Sequence, residues 1–84
     1  AVVFMRIDKF LKNARLIKRR TIAKEACDQG RVLLNGKVAK AGAEVKVGDV
    51  ITINFGSRMM KVVVKDVKEH VLKEDTKDLY EIIQ

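Results

Sequence analysis

Arginine and lysine side chains are the residues of this chain best suited to chemistry, and they are concentrated near its start. Eight basic residues and a single acid, Asp8, lie between Arg6 and Lys24, so this stretch carries a charge equal to the whole net charge of +7. The ten basic and ten acidic residues from Glu25 to Gln84 cancel. Charge gathered in one short stretch raises the local potential and attracts an oppositely charged partner. The distribution therefore predicts a cationic face that meets a polyanion.

Arginines are the strongest candidates for contacts with phosphate. Arg15, Arg19 and Arg20 can each present a planar fork of N–H donors to phosphate oxygens, and lysines act as mobile point charges. Backbone N–H groups at the start of a helix add a further anion site. We expect Arg6 and these three arginines to make the main contacts.

Composition excludes several classes of function. The lone Cys27 forms no internal disulfide, and together with His70 it is too little for a zinc site. The sequence has no paired carboxylates in a cleft pattern, no nucleophile with a base and no phosphate-binding glycine loop, so we expect neither an enzyme nor a cofactor. Aromatic residues make up only 5% of the chain, and we expect nearly all of them in the core, so base stacking is not the predicted main mode of binding.

The length of 84 residues predicts one small domain. No apolar run approaches the roughly 20 residues that span a bilayer. The stretch from Ala1 to Phe4 is too short for the hydrophobic region of a signal peptide. We expect a cytosolic protein without a membrane partner.

Two short helices are predicted to position the cations. Apolar residues recur at helical spacing over residues 7–14, namely Ile7, Phe10, Leu11 and Ala14. A second helical pattern over residues 19–29 comprises Ile22, Ala23, Ala26 and Cys27. Gly30 is well placed to end this helix, because the residue after a helix often adopts the left-handed conformation that glycine tolerates. On the second apolar stripe, Cys27 is expected to be a buried, inert thiol.

The pattern then changes from helical to extended. Asn35 and Gly36 predict a tight hairpin turn, since both central positions of that turn need a positive φ. A second turn at Gly48 and Asp49 leads into the β-branched run over residues 50–55, the candidate central strand. A further turn leads into a strand over residues 59–67, where apolar side chains alternate between the two faces.

The C-terminal segment predicts a third helix. Leu79, Ile82 and Ile83 are spaced by three and four residues, and Glu74 with Asp75 would favour a helix start.

Several of these segments, in this order and at these separations, resemble the S-four RNA-binding domain family over about residues 5–55. They are Met5-Arg6-Ile7-Asp8-Lys9-Phe10-Leu11, residues 15–20, Gly30-Arg31-Val32, Asn35-Gly36 and Gly48-Asp49-Val50-Ile51. The resemblance implies an α+β fold in which two N-terminal helices pack on a small, mostly antiparallel, curved β-sheet. We expect this domain over residues 5–67 and an extension with the short C-terminal helix over residues 68–84.

The resemblance also implies that basic residues of both helices and the following loop bind folded RNA by its backbone. Structured RNA is recognised largely by shape, phosphates and 2′-hydroxyls, which suits a basic helix pair. The predicted RNA-binding residues are Arg6, Lys9, Lys12, Arg15, Lys18, Arg19, Arg20, Thr21, Lys24, Arg31 and Lys37. Arg19 stands where family members often have a Ser or Thr cap, and Thr21 is a partial substitute two residues later.

Among stand-alone members, the chain resembles the heat-shock-protein-fifteen type and, most of all, the short RqcP (YabO) form of ribosome quality control. That resemblance implies a monomer that binds large ribosomal subunits still holding peptidyl-tRNA, contacts both rRNA and tRNA, and supports C-terminal alanine tailing by a partner factor. We expect a cluster around Arg6 to face one RNA and the residues 15–20 to face the other.

Alternative functions remain at the level of sequence. A general structured-RNA chaperone or ribosome assembly factor would bind without preference for obstructed subunits. A DNA-binding module is disfavoured, because neither helix has a base-reading face or a dimer interface. An interaction-only module would bind through Met59 and the C-terminal helix. For Asp8 two roles are open: it orients a neighbouring arginine, or it favours the positive end of the first helix.

Overall fold

Both predicted N-terminal helices are present in the computed structural model, which describes residues 4–67, 76 and 78–83. Helix α1 spans Ile7–Asn13 and helix α2 spans Arg20–Asp28, each within one residue of the predicted bounds. The predicted apolar stripe of α1 is buried at all four of its positions, Ile7, Phe10, Leu11 and Ala14. The helical periodicity of the sequence therefore identified the face of α1 that packs against the core.

Helix α2 buries a narrower face than the sequence predicted. Ala23 and Cys27 are buried, and Ala26 is half-buried. Their small side chains let α2 lie close to its neighbours. Ile22, which was predicted to share this stripe, is instead 49% exposed.

Most of the sheet is formed by consecutive antiparallel strands. The strands are β1 (Met5–Arg6), β2 (Val32–Leu34), β3 (Lys37–Val38), β4 (Glu44–Val45), β5 (Val50–Asn54), β6 (Met59–Val64) and β7 (Tyr80–Ile82). Five of them form an antiparallel sheet in the order β3-β2-β5-β6-β7, and β1 pairs separately with β4. The predicted central strand, β5, lies in the middle of the larger sheet.

Turn chemistry and strand alternation follow the sequence closely. Asn35 and Gly36 have φ angles of 53° and 85°, as the predicted two-residue hairpin between β2 and β3 requires. On β6, Val62 and Val64 are buried whereas Lys61 is exposed. One face of the sheet thus joins α1 and α2 in a single core.

The predicted C-terminal helix is wrong over Tyr80–Ile82, which form strand β7. This strand pairs antiparallel with β6, and Val62 lies opposite Ile82 in the register. The spacing of Leu79, Ile82 and Ile83 fitted a helix, but the backbone of β6 offers an unpaired edge that an extended segment can satisfy. Glu74 and Asp75, the predicted start of the helix, lie outside the described residues.

A buried carboxylate connects two of the turns. Asp49 is buried, and its two oxygens accept hydrogen bonds from the Lys46 backbone N–H at 3.0 Å and from the Asn35 side-chain amide at 3.3 Å. The Asn35 carbonyl oxygen in turn accepts from the Val50 N–H at 2.9 Å. Both polar ends of the Asn35 side chain therefore form hydrogen bonds within the protein.

No helix among the described residues has the length and apolar character needed to cross a membrane.

Replacing Asp49 by alanine should destabilise the fold. Asp49→Ala leaves the Lys46 N–H and the Asn35 amide without their acceptor, which should lower the free energy of unfolding by about 1–2 kcal/mol. Urea denaturation followed by circular dichroism measures this change. Glu25→Ala removes an exposed carboxylate from the middle of α2 and should alter stability by less than about 0.5 kcal/mol. Equal effects of the two substitutions would contradict the role assigned to Asp49.

Candidate nucleic-acid interface

Asp8 is the organising residue of the cationic face. It lies in the first turn of α1, and its side chain is only 3% exposed. Oδ2 accepts hydrogen bonds from Arg6 Nη2 and Arg20 Nε, both at 3.3 Å, and Oδ1 accepts from the Lys9 backbone N–H at 2.7 Å. Asp8 therefore orients two arginines and also accepts a hydrogen bond from a backbone N–H in the first turn of α1. The two roles that the sequence left open for Asp8 coexist.

The two arginines at Asp8 keep much of their surface in solvent. The side chain of Arg6 is 52% exposed and that of Arg20 is 48% exposed. Each guanidinium has five N–H donors in a fixed fork, and the ion pair with Asp8 uses only part of them. Because both side chains are about half exposed, remaining donors are accessible to phosphate oxygens.

This geometry corrects the predicted division of the cations. Arg20 was expected to act with the residues 15–19, on the opposite side from Arg6. Instead Arg6 and Arg20 share one carboxylate oxygen, although they are 14 residues apart in the sequence. We call Arg6, Asp8 and Arg20 the arginine pair site.

Arg15 holds an unusual backbone conformation just after α1. Its φ of 59° is left-handed, a region that favours glycine. The Arg15 N–H donates to the Lys12 carbonyl at 3.1 Å, and the Leu16 N–H donates to the Leu11 carbonyl at 3.0 Å. This pair of hydrogen bonds is the Schellman motif that commonly ends a helix. The strained residue therefore fixes where the basic loop leaves α1.

Three further predicted residues line one groove. Lys18, Arg19 and Arg31 surround a cleft of about 520 Å³ between the loop before α2, the side of α2 and the end of β5. We call this cleft the α2 groove. The sequence did not predict it, because its members are far apart in the chain.

The lysines Lys9, Lys12, Lys24 and Lys37 belong to neither of these two sites. Lys12 is exposed in the last turn of α1, and Lys24 is exposed on α2. Lys9 is half-buried at the start of α1, and Lys37 lies farther along the chain on the edge strand β3. The side chain of Arg19 makes no cap hydrogen bond at the start of α2, as expected. Thr21 is exposed in the first turn of that helix.

Cys27 is chemically inert in this fold. It is buried, and its pKa is raised to about 11, first by burial and then by the negative charges of Asp8 and Asp28. At neutral pH the side chain is therefore a thiol, which is a poor nucleophile. Within the described part of the chain, no three His, Cys, Asp or Glu residues are grouped so as to hold a metal ion.

Sequence reasoning missed two features of this surface. The contact between Asp8 and Arg20 depends on the path of the loop between the helices, which has no periodicity. Nearly all aromatic residues were expected in the core, but Phe4 is 52% exposed and Phe55, at the end of β5, is 40% exposed. The Gly56 and Ser57 turn that follows was the available signal, because residues beside a hairpin tip are commonly exposed.

Comparison with known proteins was consistent with the sequence resemblance. The S4 domain family model matches residues 5–51, which confirms the predicted S-four resemblance. The RQC P-site tRNA stabilizing factor of Halalkalibacterium halodurans is 58% identical over 78 residues, which is 93% of this chain and 89% of that protein. The protein of the same name from Bacillus subtilis is 50% identical over 80 residues, with 95% and 93% covered.

A solved structure shares the fold. The trimeric heat shock protein 15 of Vibrio cholerae matches with a TM-score of 0.87 at 27% sequence identity, and the match covers 95% of this chain and 82% of that chain. The predicted α+β architecture, with two helices on an antiparallel sheet, is therefore confirmed apart from the C-terminal helix.

Relief of the strain at Arg15 should stabilise the protein. Arg15→Gly removes the Cβ that disfavours a φ of 59°, and we expect a gain of about 0.5–1 kcal/mol in the free energy of unfolding. Thermal denaturation measures the change, since 1 kcal/mol corresponds to roughly 4–8 °C for a domain of this size.

Arg15→Ala is the matched control, because it removes the same side chain and leaves the strain in place. It should not raise the melting temperature. If both variants melted at the same temperature, the backbone strain would not be a stability cost.

Proposed function

The chain belongs to the S4 domain family and to the family of RQC P-site tRNA stabilizing factors, and from this premise we propose that it binds large ribosomal subunits that still hold peptidyl-tRNA. In this proposal the protein contacts rRNA and tRNA together and holds the tRNA in place. Its action is positional, and no bond is made or broken. A tRNA held in this way would support alanine tailing of the stalled chain by a partner factor.

The arginine pair site carries the proposal. Two guanidiniums fixed by one buried carboxylate present N–H donors at a set separation, and binding then immobilises fewer rotamers than two free arginines would. The pair suits phosphates of a folded RNA backbone, whose positions are also fixed. Arg6, Arg20 and Asp8 together carry a net charge of +1, so attraction to RNA remains after the internal pairing.

A second set of cations gives the protein a way to touch two RNA backbones. Lys18, Arg19 and Arg31 line the α2 groove, whereas Arg6 and Arg20 meet at Asp8. We assign one RNA contact to each site, in place of the division that the sequence predicted.

Arg15 is proposed as a third contact because its conformation is otherwise unfavourable. A left-handed non-glycine residue costs roughly 1–2 kcal/mol, yet its side chain is exposed and supports no part of the core. Strain of this kind is commonly retained where the side chain has a binding role.

Neutralising Arg20 should weaken binding to obstructed subunits. We expect Arg20→Gln to lower affinity about tenfold. The slope of log affinity against log salt should become shallower by about 0.7 to 0.9, the value for one lost phosphate contact. Co-sedimentation with 50S subunits that carry peptidyl-tRNA, at several salt concentrations, measures both quantities. Lys61→Gln removes one exposed charge from β6 and should leave both nearly unchanged.

The same assay separates the proposal from a general RNA chaperone. Preferential binding to obstructed over empty subunits supports tRNA stabilisation. Equal binding to empty subunits and to unrelated structured RNA would instead support the chaperone function.

Asp8 allows a test of orientation against charge. Asp8→Asn raises the net charge by one, so attraction alone would strengthen binding to a tRNA transcript. We expect binding to be about tenfold weaker, because the neutral asparagine amide lacks the negative charge that holds both guanidiniums in position. Fluorescence anisotropy at a temperature where circular dichroism shows a folded variant gives the affinity.

Asp28→Asn is the control with the same change of charge. Asp28 is exposed at the end of α2, so its variant should bind as tightly as the wild type or slightly better. Equal affinities of the two variants would show that the geometry of the pair has no effect.

A further inference from the structure

The α2 groove has exposed apolar lining that a purely phosphate-binding surface does not need. Ile22 on α2 is 49% exposed and Phe55 at the end of β5 is 40% exposed, and both line the groove together with the half-buried Ala26. Its volume of about 520 Å³ falls in the range of roughly 300–1,000 Å³ found for ligand clefts. A ligand that only placed phosphates against the cationic side chains would leave these apolar side chains in water.

Every charged residue that lines the groove is cationic. Lys18, Arg19 and Arg31 are its charged members, and none of the described lining residues is acidic. Charge complementarity therefore requires an occupant that combines an apolar, flat or bulky part with negative charge close to it.

Backbone hydrogen bonds hold the walls of the groove in fixed positions. The Arg31 N–H donates to the Ala26 carbonyl at 2.9 Å, and the Asn54 N–H donates to the Arg31 carbonyl at 2.8 Å. These two bonds connect the end of α2 to the end of β5. The groove is thus formed before any ligand arrives, which lowers the entropic cost of binding.

The ring of Phe55 is also held in place. The Phe55 N–H donates to the Arg58 carbonyl at 2.9 Å across the hairpin tip. The Arg58 guanidinium lies over the ring, 6.0 Å from its centroid. With Arg58 over one face, the ring is still 40% exposed, which leaves apolar surface for a flat ligand.

We propose that the α2 groove binds an unpaired nucleobase of RNA, which stacks on Phe55 while Lys18, Arg19 and Arg31 contact the phosphates beside it. The inference rests on the proposed function, since it requires that the chain binds RNA. A nucleotide has the required chemistry, an apolar flat base next to an anion, and every base can stack on an aromatic ring. RNA is favoured over an acidic apolar peptide because Arg19 of the groove is adjacent to Arg20 of the arginine pair site, so the groove belongs to the cationic surface that the proposed function assigns to RNA.

Three hairpin RNAs test the proposal. They share one stem and differ in a single position, which is fully paired, occupied by a bulged adenosine, or an abasic bulge. The wild type should bind the adenosine bulge roughly tenfold more tightly than the abasic bulge, a ratio that corresponds to about 1.4 kcal/mol of base stacking. Phe55→Leu keeps an apolar side chain without the aromatic ring, and it should lose this ratio while binding the fully paired hairpin as the wild type does.

Phe4→Leu is the matched control. Phe4 is an exposed ring outside the groove lining, so this variant should keep the tenfold ratio. Melting curves of both variants show that neither effect comes from unfolding.

The outcomes separate the inference from the function on which it rests. If the wild type binds all three hairpins alike, or if Phe55→Leu keeps the ratio, the nucleobase site is refuted although RNA binding stands; the second result would leave an acidic peptide as the better occupant. A wild type that binds none of the hairpins refutes both proposals.

Discussion

The buried carboxylate of Asp8 is the interaction on which the cationic face depends. A carboxylate almost removed from water is strongly unfavourable without compensation, and Arg6 and Arg20 supply that compensation from two different elements. Because Arg6 precedes α1 and Arg20 begins α2, their shared partner fixes how the two helices start relative to each other. The residues that would bind a polyanion are thus also the residues that hold the helix pair together. Removal of either arginine leaves the buried Asp8 carboxylate with less compensation. Substitutions at this site therefore affect both binding and stability.

The two helices end in the same way but with different residues, which separates structural from functional demands. Gly30 after α2 has a φ of 75° and Arg15 after α1 has a φ of 59°. In both cases the next residue bonds to a carbonyl in the last turn, Ala26 for α2 and Leu11 for α1. The geometry therefore requires a left-handed residue at each end, and glycine satisfies it at less cost. The presence of arginine instead of glycine after α1, at Arg15, points to a role of its side chain outside the core.

Local signals in the sequence were sufficient for much of the fold. The apolar period of α1, the Asn35 and Gly36 turn and the β-branched run of β5 each depend on residues close together in the chain, and each prediction was confirmed. The strand β7 was predicted as a helix because three apolar residues at helical spacing carry no information about the free edge of β6. The choice between the two conformations was made by a hydrogen-bonding partner distant in sequence.

Prediction of the candidate site shows the same division between local and distant information. The sequence indicated candidate cations, but the loop between α1 and α2 decides which of them meet. Arg20 therefore joined Arg6, whereas Lys18 and Arg19 joined Arg31. Exposure of Ile22 also depends on tertiary packing, because this residue lies on an apolar stripe whose helical spacing predicts burial.

Helix α2 connects the two sites mechanically. Its first residue, Arg20, is held at Asp8, and its side that carries Ile22 and Ala26 forms one wall of the groove. The opposite wall, at the end of β5, is bonded to Arg31 just after the same helix. A displacement of α2 would therefore change the separation of the arginines and the width of the groove together. Two backbones held at the two sites would have to match this single spacing, which is a means of selecting folded RNA by shape.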